Sequence, residues 1–148
     1  ISNFDCANQT PDITTTGHSV VGPKVLKDAK LKPRDVDMFH PYDDFLFAVM
    51  LKTEQCGFAK KGQGSQFLRD TDLGPKGSLP LNTGGGQISC GQPGLAGGGV
   101  NLTEALRQLM GQAKGRQVPS ARNALVTGIG VIPYGRNWGT ANAMVLVN

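Results

Sequence analysis

The apolar residues change period twice between His18 and Gly57, and this alternation constrains the fold more than any other feature of the chain. From about His18 to Ala29, the positions Val20, Val21, Val25, Leu26 and Ala29 fall near helical spacing, and "LKPRD" breaks the helix. In "DVDMFH", Val36, Met38 and His40 alternate with Asp35, Asp37 and Phe39, which predicts a short strand. The run "DDFLFAVMLKTEQCGF" returns to helical spacing through Phe45, Leu46, Ala48, Val49 and Cys56. Asp43 or Asp44 is available as its cap and Gly57 as its terminator. Helix, strand and helix in succession predict an α/β layer architecture rather than a bundle.

The rest of the chain extends that pattern. Residues 1–17 are polar and without a sustained period, so they read as an entering loop segment, with the domain proper at 18–148. The turn-rich stretch from Ala59 to Gly77 reads as a surface excursion, and "SLPLN" as a short strand. From Val100 an amphipathic helix is predicted through Val100, Leu102, Ala105, Leu106, Leu109 and Met110. "NALVTGIGVI" and "TANAMVLVN" then read as two strands joined by a turn through "PYGRNWG". Consecutive strands most simply pair antiparallel, which makes the sheet mixed.

Charge and cysteine usage exclude several classes. The net charge of +4 is a mild excess, and its densest stretch, Lys24, Lys27, Lys30, Lys32 and Arg34, has no interleaved aromatics. A solvated helix face accounts for it, and nucleic-acid binding is not expected. No apolar run approaches the roughly 20 residues that span a bilayer. The three cysteines, Cys6, Cys56 and Cys90, form no C-x-x-C pair, and only His18 and His40 could join them, so no metal site is expected. A reducing compartment fits this usage. The N-x-T triplets at Asn8 and Asn101 read as chance matches. The chain starts at Ile1 rather than Met, as a processed protein or a piece of a longer one does.

Between the predicted strand and the last helix lies "NTGGGQISCGQPGLAGGG", with eight glycines from Asn82 to Gly99. A phosphate-binding loop needs G-x-x-x-x-G-K-[ST], yet from Gly77 to Met110 the only basic residue is Arg107. The dinucleotide fingerprint also fails, because the strand-to-helix distance is too long and no acidic residue stands at the expected place. A linker would not carry Ile88, Cys90, Pro93 and Leu95 at intervals. What remains is a structured turn lining a cavity, its backbone N–H groups free to donate.

In order and spacing, "DVDMFHPYDDF", "GF", "KGQG", "LPLNTGGGQISCGQPGLAGG", "EALRQLMGQA" and "RQV" closely resemble the C-terminal half of the thiolase superfamily. The nearest branches are the sterol-carrier-protein-X-type and lipid-transfer-like thiolases and the steroid side-chain aldolases. The resemblance runs from about Thr14 onward. It implies an α/β half of βαβαβαββ type, a mixed sheet covered by helices, packed against a similar N-terminal half that carries the nucleophilic cysteine. It further implies a coenzyme A thioester as substrate with no bound cofactor, and a homo- or hetero-oligomer. A zinc-ribbon and OB-type acyl-CoA-binding protein is an implied partner, and the implied location is the cytoplasm, or the peroxisome in a eukaryote.

The same resemblance assigns candidate residues and shows where this chain departs from the family. The family's G-H-P histidine, which helps to activate the nucleophile and to form an oxyanion hole, corresponds to Gln92 between Gly91 and Pro93. Gln92 can donate a hydrogen bond but cannot take a proton. The H-D-x-F histidine corresponds to Tyr42, ahead of Asp43, Asp44 and Phe45. The aldolase-like relatives also carry tyrosine there, and a phenol can serve as acid or base where neighbours stabilise its charged form. The cysteine of the C-x-G turn corresponds to Gly139, so that acid/base group is absent. Tyr42 and Gln92 are the catalytic candidates; His40, Asn82, Gly85, Gly86, Gly91 and Gly139 are the substrate-binding candidates.

Each assignment has a plainer counterpart. Gln92 could be an ordinary turn residue, Tyr42 a core cap with its hydroxyl at the surface, and His40 a structural strand histidine on Tyr42's face. Asn82 is expected to hold the loop through side-chain to backbone hydrogen bonds. Cys90 reads as a small packed residue, since nothing near it in sequence would activate a thiol. Tyr134 and Trp138 could border an acyl tunnel or simply pack. Two functions follow: half of an acyl-CoA enzyme that makes or breaks a carbon–carbon bond by acyl transfer or retro-aldol cleavage, inactive alone, or a non-catalytic acyl-binding or assembly module.

Overall fold

Residue 12, residues 14–130 and residues 140–148 are described by the computed structural model. Among them the order is α1 (His18–Asp28), β1 (Phe39–His40), α2 (Leu46–Gln55), α3 (Gly64–Asp70), α4 (Gly86–Cys90), α5 (Gly97–Leu109), β2 (Asn123–Ile129) and β3 (Ala141–Val147). The helix expected from about His18 and the terminator Gly57, with φ +88°, stand where the sequence puts them.

The sheet is mixed, in the order β1-β2-β3. β1 runs parallel to β2, pairing Phe39 with Leu125 and His40 with Val126. β2 runs antiparallel to β3, from Asn123 opposite Val147 to Ile129 opposite Ala141. β1 is shorter than the alternation in "DVDMFH" predicts. Asp37 is drawn out of the ladder: its carboxylate accepts from the backbone N–H groups of Arg122 and Asn123 at 2.8 and 3.1 Å. "SLPLN" is reduced to a one-residue parallel bridge between Leu81 and Phe39, because Pro80 has no N–H to offer a longer ladder.

Period-two alternation sends neighbouring residues of β2 to opposite faces. Leu125 joins Leu26, Val36, Phe39, Cys56 and Leu79 on the side of α1 and α2, whereas Ala124 and Val126 join Met38, Ala105, Leu109 and Val118 on the side of α5. The expected surface excursion contains a helix, α3. Its signals are not local: Glu54 Oε1 accepts from the Gly64 N–H at 2.8 Å, and Phe67 packs on Phe58 with ring centroids 6.4 Å apart.

The buried face of α5 also differs from the expected one. The helix starts at Gly97, three residues before Val100, and buries Asn101, Glu104, Ala105, Gln108 and Leu109. Leu106 and Met110 are exposed instead. The inward face is turned by polar bonds: the Gln108 amide donates to the Thr83 hydroxyl, the Glu104 carboxylate and the Arg116 carbonyl, each at 2.9 Å. A buried polar side chain is tolerated where its hydrogen bonds are made.

Candidate active site

The chain leaves β1 at its C-terminal end, the edge at which open α/β sheets collect functional turns. There the glycine turn is tied to it. The Asn82 N–H donates to the Phe39 carbonyl at 3.1 Å, and the Asn82 and Asn101 amides both donate to the Pro41 carbonyl, at 2.9 and 2.7 Å. Asp43 does not cap α2, whose N-cap is Phe45 with no side-chain bond. Its carboxylate instead accepts the N–H groups of Gln87 at 2.8 Å and Ile88 at 3.4 Å, capping α4 across the turn.

That cap dictates a glycine at position 86. Gly86 has φ +60°, and a Cβ there would fall on the Asp43 carboxylate. Gly86→Ala is therefore expected to lower stability by about 1–3 kcal/mol, combining left-handed strain with a damaged cap. Urea denaturation of the variant measures it; an unchanged midpoint would show that the turn relaxes without loss.

Tyr42 and Gln92 come together. The Gln92 side-chain amide donates to the Tyr42 hydroxyl oxygen at 2.8 Å, so the Tyr42 hydroxyl is not left to solvent. Tyr42 is buried, at 7% exposure, while Gln92 and its neighbour Gly91 lie on the exposed part of the turn. The phenol also abuts the first residue of α5: a Cβ on Gly97 would stand 2.5 Å from the Tyr42 oxygen. Gly97 is held in place through its carbonyl, which accepts from the Gln87 amide at 2.5 Å. A negative charge at the phenol oxygen would face the N-terminal end of a 13-residue helix, where such charge is favoured.

His40 faces a second space on the α5 side, a cavity of about 500 Å³ lined also by Asn82, Gly86, Cys90, Asn101 and Glu104. Its ring is fully buried, yet both ring nitrogens and the Asn82 Oδ1 lack a hydrogen-bond partner among the described residues. Burial holds the imidazole down at about 4, with the Glu104 charge pulling the other way, so it is neutral near pH 7. Glu104 is paired: Arg116 reaches it through Nε at 3.0 Å and Nη2 at 2.7 Å, and Thr83 donates at 2.8 Å. Burial pushes this carboxyl up, but the bonds from Arg116, Thr83 and Gln108 outweigh it and hold the group below its ordinary value. Cys90 is exposed rather than packed, and its thiol donates to the Gly84 carbonyl at 2.6 Å.

The structure thus divides the candidates. Tyr42 and Gln92 meet through their hydrogen bond, with Gly91 exposed beside Gln92; His40, Asn82 and Gly86 line the cavity; Gly85, with φ +100°, lines a separate groove with Ile88, which Asn82 also borders. Gly139, Tyr134 and Trp138 lie outside the described residues. The sequence reading gave no site role to Asn101, met there only as an N-x-T match, or to Glu104 and Lys52. Lys52 stands four residues after Ala48 and three after Val49, the helical spacing of a buried face, which is the signal that marks it. Around the turn, Phe45, Leu46, Phe47 and Ile88 are at least half exposed.

Among the described residues no group of three His, Cys, Asp or Glu side chains could hold a metal ion, and no helix is long and apolar enough to cross a membrane. A family model described as thiolase C-terminal domain-like matches residues 3–138. The chain is 35% identical over 105 residues to an acetyl-CoA acetyltransferase of Methanothermobacter thermautotrophicus, covering 71% of this chain and 27% of that protein. It is 34% identical over 108 residues to human sterol carrier protein 2, covering 73% and 20%. A solved structure titled Ltp2-ChsH2(DUF35) aldolase superposes with a TM-score of 0.72 at 29% identity, covering 88% of this chain and 31% of the other. The chain spans less than a third of the length of each.

Proposed function

The chain belongs to the thiolase C-terminal domain-like family, and from that premise we propose that it is the C-terminal half of an acyl-CoA enzyme that makes or breaks a carbon–carbon bond. The observation that carries the reading is the contact between the Gln92 amide and the Tyr42 phenol at the glycine turn. It leaves a proton-transferring group beside a hydrogen-bond donor, with no histidine or cysteine of this half required. That pairing favours retro-aldol cleavage over the thiolytic reaction. The coenzyme A thioester is the substrate, and no bound cofactor is needed.

The steps follow from these groups. The Tyr42 phenol oxygen, acting as general base, takes the proton of a β-hydroxyl on the acyl chain. The carbonyl forms at that carbon as the bond between the α and β carbons breaks, and the electron pair passes into the thioester as an enolate. Gln92's second amide N–H and the backbone donors of the turn stabilise the enolate oxygen. Tyr42 then returns its proton to the α carbon, releasing a shortened acyl-CoA and an aldehyde or ketone. His40, neutral, and the Asn82 Oδ1 would meet by hydrogen bonds alone whatever part of the substrate enters the cavity on the α5 side.

The rest of the site would come from the N-terminal half, in the same chain or another, including the nucleophilic cysteine where the reaction is acyl transfer. The exposed Phe45, Leu46, Phe47 and Ile88 supply an apolar face for such a partner. The name of the solved relative, an aldolase of two named components, supports a further protein partner; the acyl-CoA-binding protein of zinc-ribbon and OB type is the one that the family resemblance implies. Native mass spectrometry of the protein from its source, followed by thioester and aldol cleavage assays, tests the reading. The expected species is a longer chain or a complex with turnover; a lone chain that binds acyl-CoA without turnover would make it a binding module.

A further inference from the structure

Lys52 is a buried charge that the proposed chemistry leaves unused. It lies on the inward face of α2 with 1% of its surface exposed. An ammonium taken out of water is costly unless its surroundings compensate, and a Leu or Met would fill the same space without that cost. Part of that compensation comes from one residue. Lys52 Nζ donates to the Tyr42 carbonyl, and the same nitrogen lies 5.8 Å from the centroid of the Tyr42 ring, within reach of cation–π attraction.

Resting on the reading of Tyr42 as the proton-transferring group, we propose that Lys52 is a positioning residue: it clamps the backbone and ring face of Tyr42 from behind and keeps the hydroxyl on the Gln92 amide. The other anchors are weaker or more exposed. The Tyr42 N–H reaches the Thr127 hydroxyl at 3.3 Å, and Gln92 sits on the solvent side of the turn. Lys52 is the charged anchor among them, and it is buried.

The groups facing Lys52 set when the clamp is charged. Asp43 and Asp44, before α2, favour the ammonium; Cys56, past the end of α2, is pushed up to about 12 by burial; His18, on α1, is held down at about 3 by burial and by Lys52 itself. Burial brings Lys52 down to about 7 against these attractions. The clamp is therefore charged below that pH and loses its charge above it. His18 and His40, at about 3 and 4, do not titrate in that range.

The test is NMR of the full chain with ¹³Cζ-labelled tyrosine and ¹⁵N, titrated across about pH 5 to 9. Of the two tyrosines, Tyr42 is assigned by Tyr42→Phe. The expected result is that the Tyr42 Cζ, the Asp43 amide and the Gln92 side-chain amide shift together with one midpoint near 7. Lys52→Met should abolish the transition, and Lys52→Arg should hold the three signals near their low-pH positions throughout. Tyr42 and Gln92 signals that stay flat in the unaltered chain while the Lys52 ¹⁵Nζ itself titrates overturn the clamp, whatever Tyr42 does in catalysis, and so do Tyr42 and Gln92 signals unmoved by Lys52→Met. A coupled transition together with full turnover in Tyr42→Phe overturns the reading of Tyr42 instead, leaving the clamp without a reaction to serve.

Discussion

Replacing Tyr42 with Phe in the assembled enzyme is expected to lower kcat for retro-aldol cleavage by roughly 10²–10⁴-fold, the usual contribution of a positioned acid/base group. KM should change little. The substitution keeps the ring that faces Lys52 and both backbone bonds of residue 42, to Lys52 and to Thr127, since none of them uses the hydroxyl. Only the bond from Gln92 is lost, and Gln92 is exposed, so water can satisfy its amide. A rate loss with an unchanged melting temperature would separate chemistry from folding. Gln92→Ala should also reduce kcat, through the missing enolate donor, and Gln92→Glu should reduce it further by setting a carboxylate beside the developing charge. Unaltered turnover in Tyr42→Phe would remove the phenol from the mechanism.

Acid should destabilise the fold early. His18 and His40 are both fully buried, and burial holds them near 3 and 4 against an ordinary value of 6.5. Between those values the unfolded chain binds protons that the folded chain does not, so stability falls as pH drops through 6.5 toward 4. By about pH 4.5 the loss is on the order of 2–3 kcal/mol for each histidine, an appreciable share of the stability of one domain. At the other end the signs differ. Lys52, near 7 folded and 10.5 unfolded, makes stability rise with pH between those values, whereas Cys56, about 12 folded and 9 unfolded, makes it fall above 9. Urea midpoints measured from acid to alkaline pH should therefore climb steeply from pH 4 and level off near about 9. His40→Gln should flatten part of the acid limb; an acid limb unchanged in that variant would mean that cavity water already solvates the ring.

Much of the architecture is legible because it rests on local spacing. The change of period from α1 to β1 to α2, the terminator Gly57 and the antiparallel pairing of β2 with β3 all follow from residues a few positions apart. The glycine turn is legible too, since few other sequences could supply adjacent positive φ angles at Gly85 and Gly86. Three features resist this reading. Asp43 has the sequence of a cap for α2 but caps α4, 44 positions downstream at Gln87. Glu54 caps α3 from the preceding helix. The α5 stripe predicted from Leu106 and Met110 is rotated by Glu104 and Gln108, whose partners Thr83 and Arg116 lie on either side of the helix in sequence.

By itself the sequence determined the layer architecture and the place of the glycine turn, because periodicity, φ preference and motif order are properties of neighbouring residues. Only the tertiary structure decided that Gln92 bonds the Tyr42 phenol across 50 positions, that Lys52 lies beneath the same ring, and that His40 faces a cavity with both nitrogens unpartnered among the described residues. A polar group removed from water must take whichever partner the packing brings within reach, and side chains that meet across a sheet edge leave no periodic trace along the chain.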